Sequence, residues 1–294
     1  MYRLILTMAL LPGMHAAPTA DEILAKARKA LGKVESLQTL TVTGVRRTSA
    51  DTPEGPRTMS RDVAMDFQLP GKFMKAETLE LPNGMEGPTM VETLDGETSW
   101  RETRNVPTGA NIIIRQAPPP GAAGQDEEAM ERARTRMLRH TYLRHLLVYT
   151  LTPPAGMDVK FDVLGEAEAQ DGKAWILEIT AADGFLMRMY IDQQSNLPLM
   201  ASWRALQLAR PMMRMMRMEG HTPPDAKKLE GAPMPDAPKP KEVEFEMRLA
   251  EHTEFGSVRL PKVMTVSTEG KLAEEFELKD AKINPKFKAD RFRK

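Results

Sequence analysis

The sequence of 294 residues contains no cysteine. This absence excludes disulfides, thiolate metal sites, a cysteine nucleophile and a lipidated N-terminal cysteine, so the stability of the chain has to come from its packed core. Net charge is also absent, because 41 basic residues balance 41 acidic ones. Since phosphate binding needs clustered positive charge, the composition gives no electrostatic reason to expect nucleic acid as a partner.

Catalytic motifs and long hydrophobic runs are missing as well. The sequence has no glycine-rich phosphate loop, nucleophile elbow or metal-ligand spacing, which argues against an enzyme and predicts neither cofactor nor metal. The apolar run at residues 4–11 is well short of the roughly 20 residues that span a bilayer. With Arg3 before it and Ala16 and Ala17 after it, the run predicts a cleaved export signal over residues 1–17 and a soluble periplasmic protein.

Two segments have the pattern of a helix. Residues 19–34 begin with Thr19 and Glu22 spaced as a capping box, and apolar side chains then recur at helical intervals. Residues 125–151 are rich in Ala, Glu, Arg, Met and Leu and are followed by Pro153. The length of this second helix suits a lid or a brace across a sheet.

Alternating polarity, which is typical of antiparallel strands with one buried face, runs through most of the remaining chain. It is clearest where Val243, Phe245, Met247 and Leu249 alternate with charged residues. Residues 51–56 combine proline, glycine and aspartate and predict a turn. Twelve strands are expected, at residues 37–44, 63–69, 72–81, 90–94, 98–103, 174–180, 185–191, 199–208, 243–252, 258–267 and 271–280, and from 159 onward.

Two stretches lack any period. Residues 107–124 contain four prolines and three glycines, and most of the stretch is predicted to form a mobile loop. The three isoleucines of residues 112–114 are the exception and are a candidate for a further short strand. Residues 219–241 form a Pro-rich insertion that cannot bury enough apolar surface to offset ordering, and we expect it to be disordered. Because neither stretch separates two complete patterns, residues 18–294 are predicted to form a single domain.

Methionine and histidine suggest two metal sites that the sequence does not favour. The five methionines of residues 212–218, with His221 nearby, are soft ligands for monovalent copper, but Arg210, Arg214 and Arg217 would repel the ion. Flexible apolar packing is the stronger interpretation of this run. His140 and His145 are five residues apart, which places them on diverging helix faces and predicts surface histidines instead of a zinc pair.

Several segments, in chain order, resemble the periplasmic lipoprotein-carrier superfamily typified by LolA and LolB. Residues 65–77, MDFQLPGKFMKAE, resemble its strand, proline turn, lysine and second strand, and residues 184–198, GFLMRMYIDQQSNLP, resemble its hairpin and Leu-Pro turn. Near the C-terminus, Leu260 and Pro261 precede a strand, and residues 276–292 contain Asp-Ala-Lys-Ile-Asn-Pro before a closing phenylalanine. The resemblance implies an α+β, mainly antiparallel β fold: a strongly curved half-barrel sheet with helices packed on its concave face.

In that superfamily an apolar cavity between sheet and helices shelters acyl chains. The resemblance therefore implies a periplasmic carrier for the acyl chains of a lipoprotein or lipid, acting without covalent chemistry. Residues that share a strand face are the candidate cavity wall, and the alternative for each is an ordinary dry core. These candidates are Val63, Met65, Phe67, Phe185, Met187, Met189, Val243, Phe245, Met247 and Leu249.

Other functions use the same scaffold without a lipid. The main alternative is an envelope sensor or regulator that binds a protein partner, such as an inner- or outer-membrane protein. Its docking candidates are Arg132, Arg136 and Arg139 on the second helix, for which a solvated helix face is the competing interpretation. A scaffold in envelope assembly is a third possibility.

Overall fold

The computed structural model describes residues 17–52, 55–81, 85–106, 126–169, 172–207 and 241–294. Across these residues, twelve strands form one sheet, and two α-helices cover it. The helices are α1 (Ala20–Leu31) and α2 (Glu127–Thr150). The strands are β1 (Thr39–Thr52), β2 (Gly55–Gln68), β3 (Lys72–Glu80), β4 (Glu86–Asp95), β5 (Thr98–Arg104), β6 (Val159–Ala169), β7 (Gly172–Ala181), β8 (Phe185–Asp192), β9 (Pro198–Gln207), β10 (Lys241–Phe255), β11 (Val258–Thr268) and β12 (Lys271–Ile283).

Each of the twelve predicted strands and both predicted helices is present in the structure. The turn predicted at residues 51–56 is too wide, because β1 continues to Thr52 and β2 begins at Gly55. Three predicted segments lie outside the described residues: the export signal apart from Ala17, the loop at 107–124 with its candidate short strand, and the Pro-rich insertion apart from Lys241, which begins β10. The methionine run and His221 lie outside them as well.

The strand order is β5-β4-β3-β2-β1-β12-β11-β10-β9-β8-β7-β6, and the pairings are antiparallel. Two meanders, β1 to β5 and β6 to β12, are therefore joined side by side where β1 pairs with β12. Residues directly opposite each other in such a sheet point to the same face. The register places Phe67 opposite Phe73, and Phe73 opposite Leu94, which aligns the apolar residues of three strands.

Helix α1 is fixed at both ends by its own sequence. The predicted capping box is present, since Thr19 N donates to Glu22 Oε2 at 2.9 Å and Glu22 N donates to Thr19 Oγ1 at 3.3 Å. The helix ends at Leu31 and is followed by the C-cap residue Gly32, which has a φ of 92°. A Cβ on Gly32 would lie only 2.4 Å from the carbonyl oxygen of Ser257, so the chain can pass β11 here only with glycine.

Helix α2 contacts strands from opposite parts of the sheet. Thr135 Oγ1 lies 2.7 Å from Ser99 Oγ on the edge strand β5. Arg139 pairs with Glu97 in the β4–β5 turn and also, at 2.8 Å, with Asp183 in the β7–β8 turn. These two turns lie far apart in the strand order, so one side chain can reach both only because the sheet curves around the helix. The predicted half-barrel with helices on its concave face is thereby confirmed.

One continuous core joins both helices to the concave face of the sheet. Tyr142 donates its hydroxyl hydrogen to the carbonyl oxygen of Pro70 at 2.6 Å, which ties α2 to the β2–β3 turn. The guanidinium of Arg28 donates to the carbonyl oxygen of Leu151 at 3.0 and 2.8 Å, which links α1 to the end of α2. Among the described residues, no helix is long and apolar enough to cross a membrane.

The chain after β12 returns over the convex face of the sheet. Phe292, only 3% exposed, packs with Met74 and Val91 in a small second core. Arg291 Nε donates to Asp66 Oδ2 at 2.8 Å, while Thr41 Oγ1 donates to Asp66 Oδ1 at 2.6 Å. The carboxylate of Asp66 is therefore buried but paired, and it holds the tail against β1 and β2.

We predict that Arg139→Gln lowers the free energy of unfolding by about 1–2 kcal/mol, because two ion pairs of up to about 1 kcal/mol each are lost between α2 and two separate turns. Urea unfolding measures the change. The matched control is Arg132→Gln on the same helix, whose exposed partner Glu128 is one turn away and bridges nothing; it should change stability by no more than about 0.5 kcal/mol. Equal effects of the two substitutions would contradict the bridging role of Arg139.

Candidate functional site

The ten predicted wall residues all lie on the strand face that the helices cover. Nine of them are buried, and Phe245 is half-buried. Eight belong to the main core cluster, and Phe245 packs against that cluster. Val243 lies on the same face of β10, because it is two residues before Phe245 and four before Met247. The strand pattern thus predicts which face these residues occupy, while their role in binding a ligand stays a prediction.

Side chains of α2 lie directly over two of these residues, Phe67 and Phe185. The Phe67 ring lies 6.1 Å from Tyr142 and 6.0 Å from Tyr149, and neighbouring Phe73 lies 5.9 Å from Tyr142, measured between ring centroids. The rings of His140 and Phe185 are nearly perpendicular, with centroids 5.4 Å apart. In this conformation α2 therefore covers this part of the wall, and a ligand can reach Phe67 and Phe185 only if the helix moves away from the sheet.

Among the described residues, two openings are lined by other side chains. A small one, of about 90 Å³, lies on the same concave face and is lined by Met90 and by charged residues of β3, β4 and β5. A larger groove of about 520 Å³ lies where the chain leaves β12. Neither is lined by any of the ten predicted wall residues. The groove residues are Ser36, Gln38, Thr39, Gln68, Asn284, Pro285, Lys286 and Phe287.

A charged belt crosses the concave face next to its apolar part, and six residues define it: Arg46, Arg61, Lys75, Glu77, Glu92 and Arg101. They share the wall's face because Val63 is opposite Glu77 and Met65 is opposite Lys75. Lys75 Nζ lies 3.1 Å from both Glu77 Oε1 and Glu92 Oε2. Arg46 Nη2 lies 2.8 Å from Glu77 Oε2, and Arg61 Nη1 lies 3.9 Å from the same oxygen.

Mutual pairing keeps the belt charged despite its burial. Burial disfavours the carboxylate of Glu77, but Lys75 and Arg46 outweigh it and lower the pKa of that group. Lys75 acts most strongly on Glu92 and, with Arg101, lowers its pKa to about 2. Burial likewise opposes the ammonium of Lys75, yet Glu77 and Glu92 leave its pKa raised. The belt is therefore an ionised network inside the half-barrel.

Helix α2 brings a second group of polar residues into the same interior, the inner polar set, defined as His140, Arg144, His145 and Tyr149. Three of its atoms are buried without a hydrogen-bond partner among the described residues: His140 Nε2, Arg144 Nε and the Tyr149 hydroxyl oxygen. Four further atoms without a hydrogen-bond partner lie outside α2: Arg46 Nε and Glu77 Oε1 in the charged belt, Gln193 Nε2 and His252 Nε2. Helix α2 therefore has three of the seven such atoms among the described residues, and because buried polar atoms are nearly all paired, this concentration on one helix needs an explanation.

Arg144 is the most unusual member of this set. Its guanidinium carbon lies 4.1 Å from the ring centroid of Trp203 on β9. Trp203 is stacked in turn on Phe245, with centroids 5.5 Å apart and the planes at 3°. Burial lowers the pKa of Arg144 to about 10, and no described carboxylate counters it. An arginine thus lies over aromatic rings with no acidic partner in the described chain.

The two histidines are partly buried, so the prediction of surface histidines was wrong. Their faces do diverge as the spacing indicates, but the curved sheet covers both sides of α2. Burial, Arg144 and Arg136 lower the pKa of His140 to about 4. Burial and then Arg144 lower the pKa of His145 to about 4, although the carbonyl oxygen of Thr141, 2.9 Å from Nδ1, favours the charged form.

The three predicted docking arginines have different surroundings. Arg132 is exposed and pairs with Glu128 on its own helix, and Arg136 is also exposed. Arg139 is mostly covered by its ion pairs with Glu97 and Asp183. The structure therefore leaves two of the three exposed to solvent, and docking itself stays a prediction.

The charged belt was not predicted from the sequence, and Arg144, one of the five arginines of the second helix, was not among the predicted docking residues. Alternation carries a signal for the belt, because Arg61 continues the face of Val63 and Met65, and Lys75 and Glu77 continue the face of Phe73. The described residues contain no cluster of three or more His, Asp or Glu side chains able to hold a metal ion.

Comparison with known proteins identifies the fold. No protein-family model and no curated protein matches the chain. It is similar to the structure of a LolA superfamily protein from Nitrosomonas europaea, with a TM-score of 0.50 and 13% identity over 95% of this chain and 99% of the other. A putative outer membrane lipoprotein-sorting protein domain from Vibrio parahaemolyticus gives a TM-score of 0.46 and 9% identity, covering 92% and 95%. The fold is LolA-like, as the sequence motifs predicted.

We predict that acid destabilises the protein through its partly buried histidines. His145 has a pKa of about 4 when folded and about 6.5 when unfolded, so its contribution is complete above pH 6.5 and is lost as the pH falls towards 4. In His145→Gln, the decline of unfolding free energy between pH 6.5 and 4.5 should become shallower by no more than about 1.4 kcal/mol per pH unit.

Urea unfolding at a series of pH values gives both curves. Above pH 7 the two slopes should coincide, since His145 is neutral in both folded and unfolded states there, and this range is the internal control. If the curves of wild type and His145→Gln are parallel from pH 8 down to pH 4.5, the pKa of His145 is the same in the folded and unfolded states. That result would contradict the lowering of this pKa by burial.

Proposed function

We propose that this chain is an exported periplasmic binding protein that carries the acyl chains of a lipoprotein or lipid between α2 and the concave face of its sheet. No covalent chemistry is involved. The chains lie against the ten wall residues, and α2 acts as a lid that opens to admit them and closes when the protein is empty. The export signal at residues 1–17 and the LolA-like fold are compatible with this role.

The inner polar set of α2 is the observation that carries the proposal. A helix that served only to complete a core would present apolar side chains to the sheet, because each buried polar atom without a partner costs about 1–3 kcal/mol. Helix α2 instead buries three such atoms against Phe67, Phe185 and Trp203. These costs weaken the closed state and favour a helix that leaves the sheet when a ligand takes its place.

Acyl chains can supply the free energy that this exchange requires. Moving α2 exposes apolar side chains on both the helix and the sheet. A ligand recovers roughly 0.8 kcal/mol for each methylene that it buries, so a chain of about 14 methylenes recovers on the order of 11 kcal/mol. The charged belt borders the apolar wall and marks the end of the space that hydrocarbon can occupy.

A second candidate is a sensor or regulator that binds an envelope protein. The covered interior favours it, since in the closed conformation the wall residues Phe67 and Phe185 contact α2 and not open space. The exposed arginines Arg132 and Arg136 lie on the outer side of the same helix and are available to an acidic partner. Carrier and sensor therefore differ in whether α2 must open for binding.

A disulfide that pins α2 to the sheet tests the carrier directly. The chain has no cysteine, so Ser99→Cys with Thr135→Cys introduces a single pair, at positions whose hydroxyl oxygens are 2.7 Å apart. We predict that oxidised protein takes up a fluorescent C16 fatty acid at least tenfold more weakly than the wild type. Reduction with dithiothreitol should restore uptake.

The matched control places the disulfide within the sheet. Thr78 and Thr89 lie opposite each other on β3 and β4 with their hydroxyl oxygens 2.9 Å apart, and a bond between cysteines there leaves α2 free. Uptake by this control should not depend on oxidation. Lipid extraction and mass spectrometry of protein from its native compartment should also find stoichiometric acyl chains. A protein that takes up no fatty acid when reduced, and carries no lipid, would reject the carrier in favour of the sensor.

A further inference from the structure

Arg144 has a positive charge whose counterion is missing from the described chain. Its Nε is buried without a hydrogen-bond partner, and the groups that pack on it are the rings of Trp203 and, behind it, Phe245. Asp183, the carboxylate that acts on neighbouring His140, is already paired with Arg139, and no described carboxylate acts on Arg144. Arg144 is partly buried, and a partly buried cation without a partner loses hydration without compensation, so an anion from outside the chain would be bound favourably here.

Arg144 keeps hydrogen-bond donors available for a ligand. Its Nε has no partner among the described residues, and its guanidinium carbon lies 4.1 Å from the centroid of the Trp203 ring. Hydrogen bonds of a guanidinium are donated in its plane. Arginine presents these donors as a planar fork that fits the oxygens of phosphate or carboxylate. Because the surroundings are aromatic, an anion attached to hydrocarbon matches this position better than a fully hydrated ion.

We propose that Arg144 binds the anionic head group, a phosphate, of an amphiphilic ligand whose hydrocarbon chain lies against the apolar wall. This inference rests on the proposed carrier function and adds the chemical class of the cargo: a lipid with a phosphate near its acyl chains. Trp203 is a positioning residue that packs on the guanidinium.

Three probes separate the parts of this claim when their binding is measured by isothermal titration calorimetry below the micelle concentration. Dodecyl phosphate has both chain and anion, dodecanol has only the chain, and inorganic phosphate has only the anion. We expect the wild type to bind dodecyl phosphate at least tenfold more tightly than dodecanol and not to bind inorganic phosphate measurably. Arg144→Met should reduce that ratio to about one, with dodecanol affinity kept within twofold.

The control is Arg134→Met, which removes an exposed arginine from the same helix and should leave the ratio unchanged. If Arg144→Met does not fold by circular dichroism, Arg144→Lys replaces it; this variant keeps a charge but loses the fork, and the ratio should fall at least threefold.

Each outcome separates this inference from the carrier function. Equal affinity of the wild type for dodecyl phosphate and dodecanol would overturn the anion site and leave the carrier standing. Binding of neither amphiphile would overturn both. Displacement of dodecyl phosphate by millimolar inorganic phosphate would assign the site to a free anion and overturn the proposal of a lipid head group. If both Arg144 variants keep the wild-type ratio of dodecyl phosphate to dodecanol affinity, the assignment to Arg144 is overturned.

Discussion

The burial of one face of a twelve-stranded sheet is the constraint on which the rest of the structure depends. Such a face is far too wide for two helices on a flat sheet, so the sheet bends until strands from opposite ends contact the same helix. The ion pairs of Arg139 are evidence of this bend, because its guanidinium contacts both Glu97 in the β4–β5 turn and Asp183 in the β7–β8 turn. Helix α2 is consequently buried on two sides, and its residues determine what the interior of the half-barrel can bind.

That helix is poorly suited to be a permanent part of the core. Its aromatic and leucine side chains fill the space above Phe67 and Phe73, as a stable closed state requires. Arg144 and His140 are nevertheless partly buried beside them, and each has a buried nitrogen atom without a hydrogen-bond partner in the described chain. Tight packing and unpaired polar atoms occur here in the same place. Both are explained if the protein has a closed and an open state, and a ligand bound in the open state supplies hydrocarbon and a hydrogen-bond acceptor.

Local patterns in the sequence predict most of the fold. Alternation places all twelve strands, and the capping box of Thr19 and Glu22 places α1, because both signals depend on neighbouring residues alone. The candidate site depends on contacts between distant segments. The diverging faces of His140 and His145 predict exposure for a helix on an open surface, and they fail here because the sheet wraps around α2. Sequence alternation shows which face of the sheet Lys75 and Glu77 occupy. It does not show that their ion-pair partners Glu92 and Arg46, on other strands, lie next to them on the same face, so the charged belt was missed.

The central claim is that α2 is a cover that leaves the sheet when an apolar ligand enters. Spin labels at the exposed positions Arg134 on α2 and Arg188 on β8, introduced as cysteines into this cysteine-free chain, allow the separation to be measured by double electron–electron resonance. The account predicts one distance in the lipid-free protein and a second, longer distance once a C16 fatty acid is bound. A single unchanged distance at saturating, calorimetrically confirmed binding would contradict it.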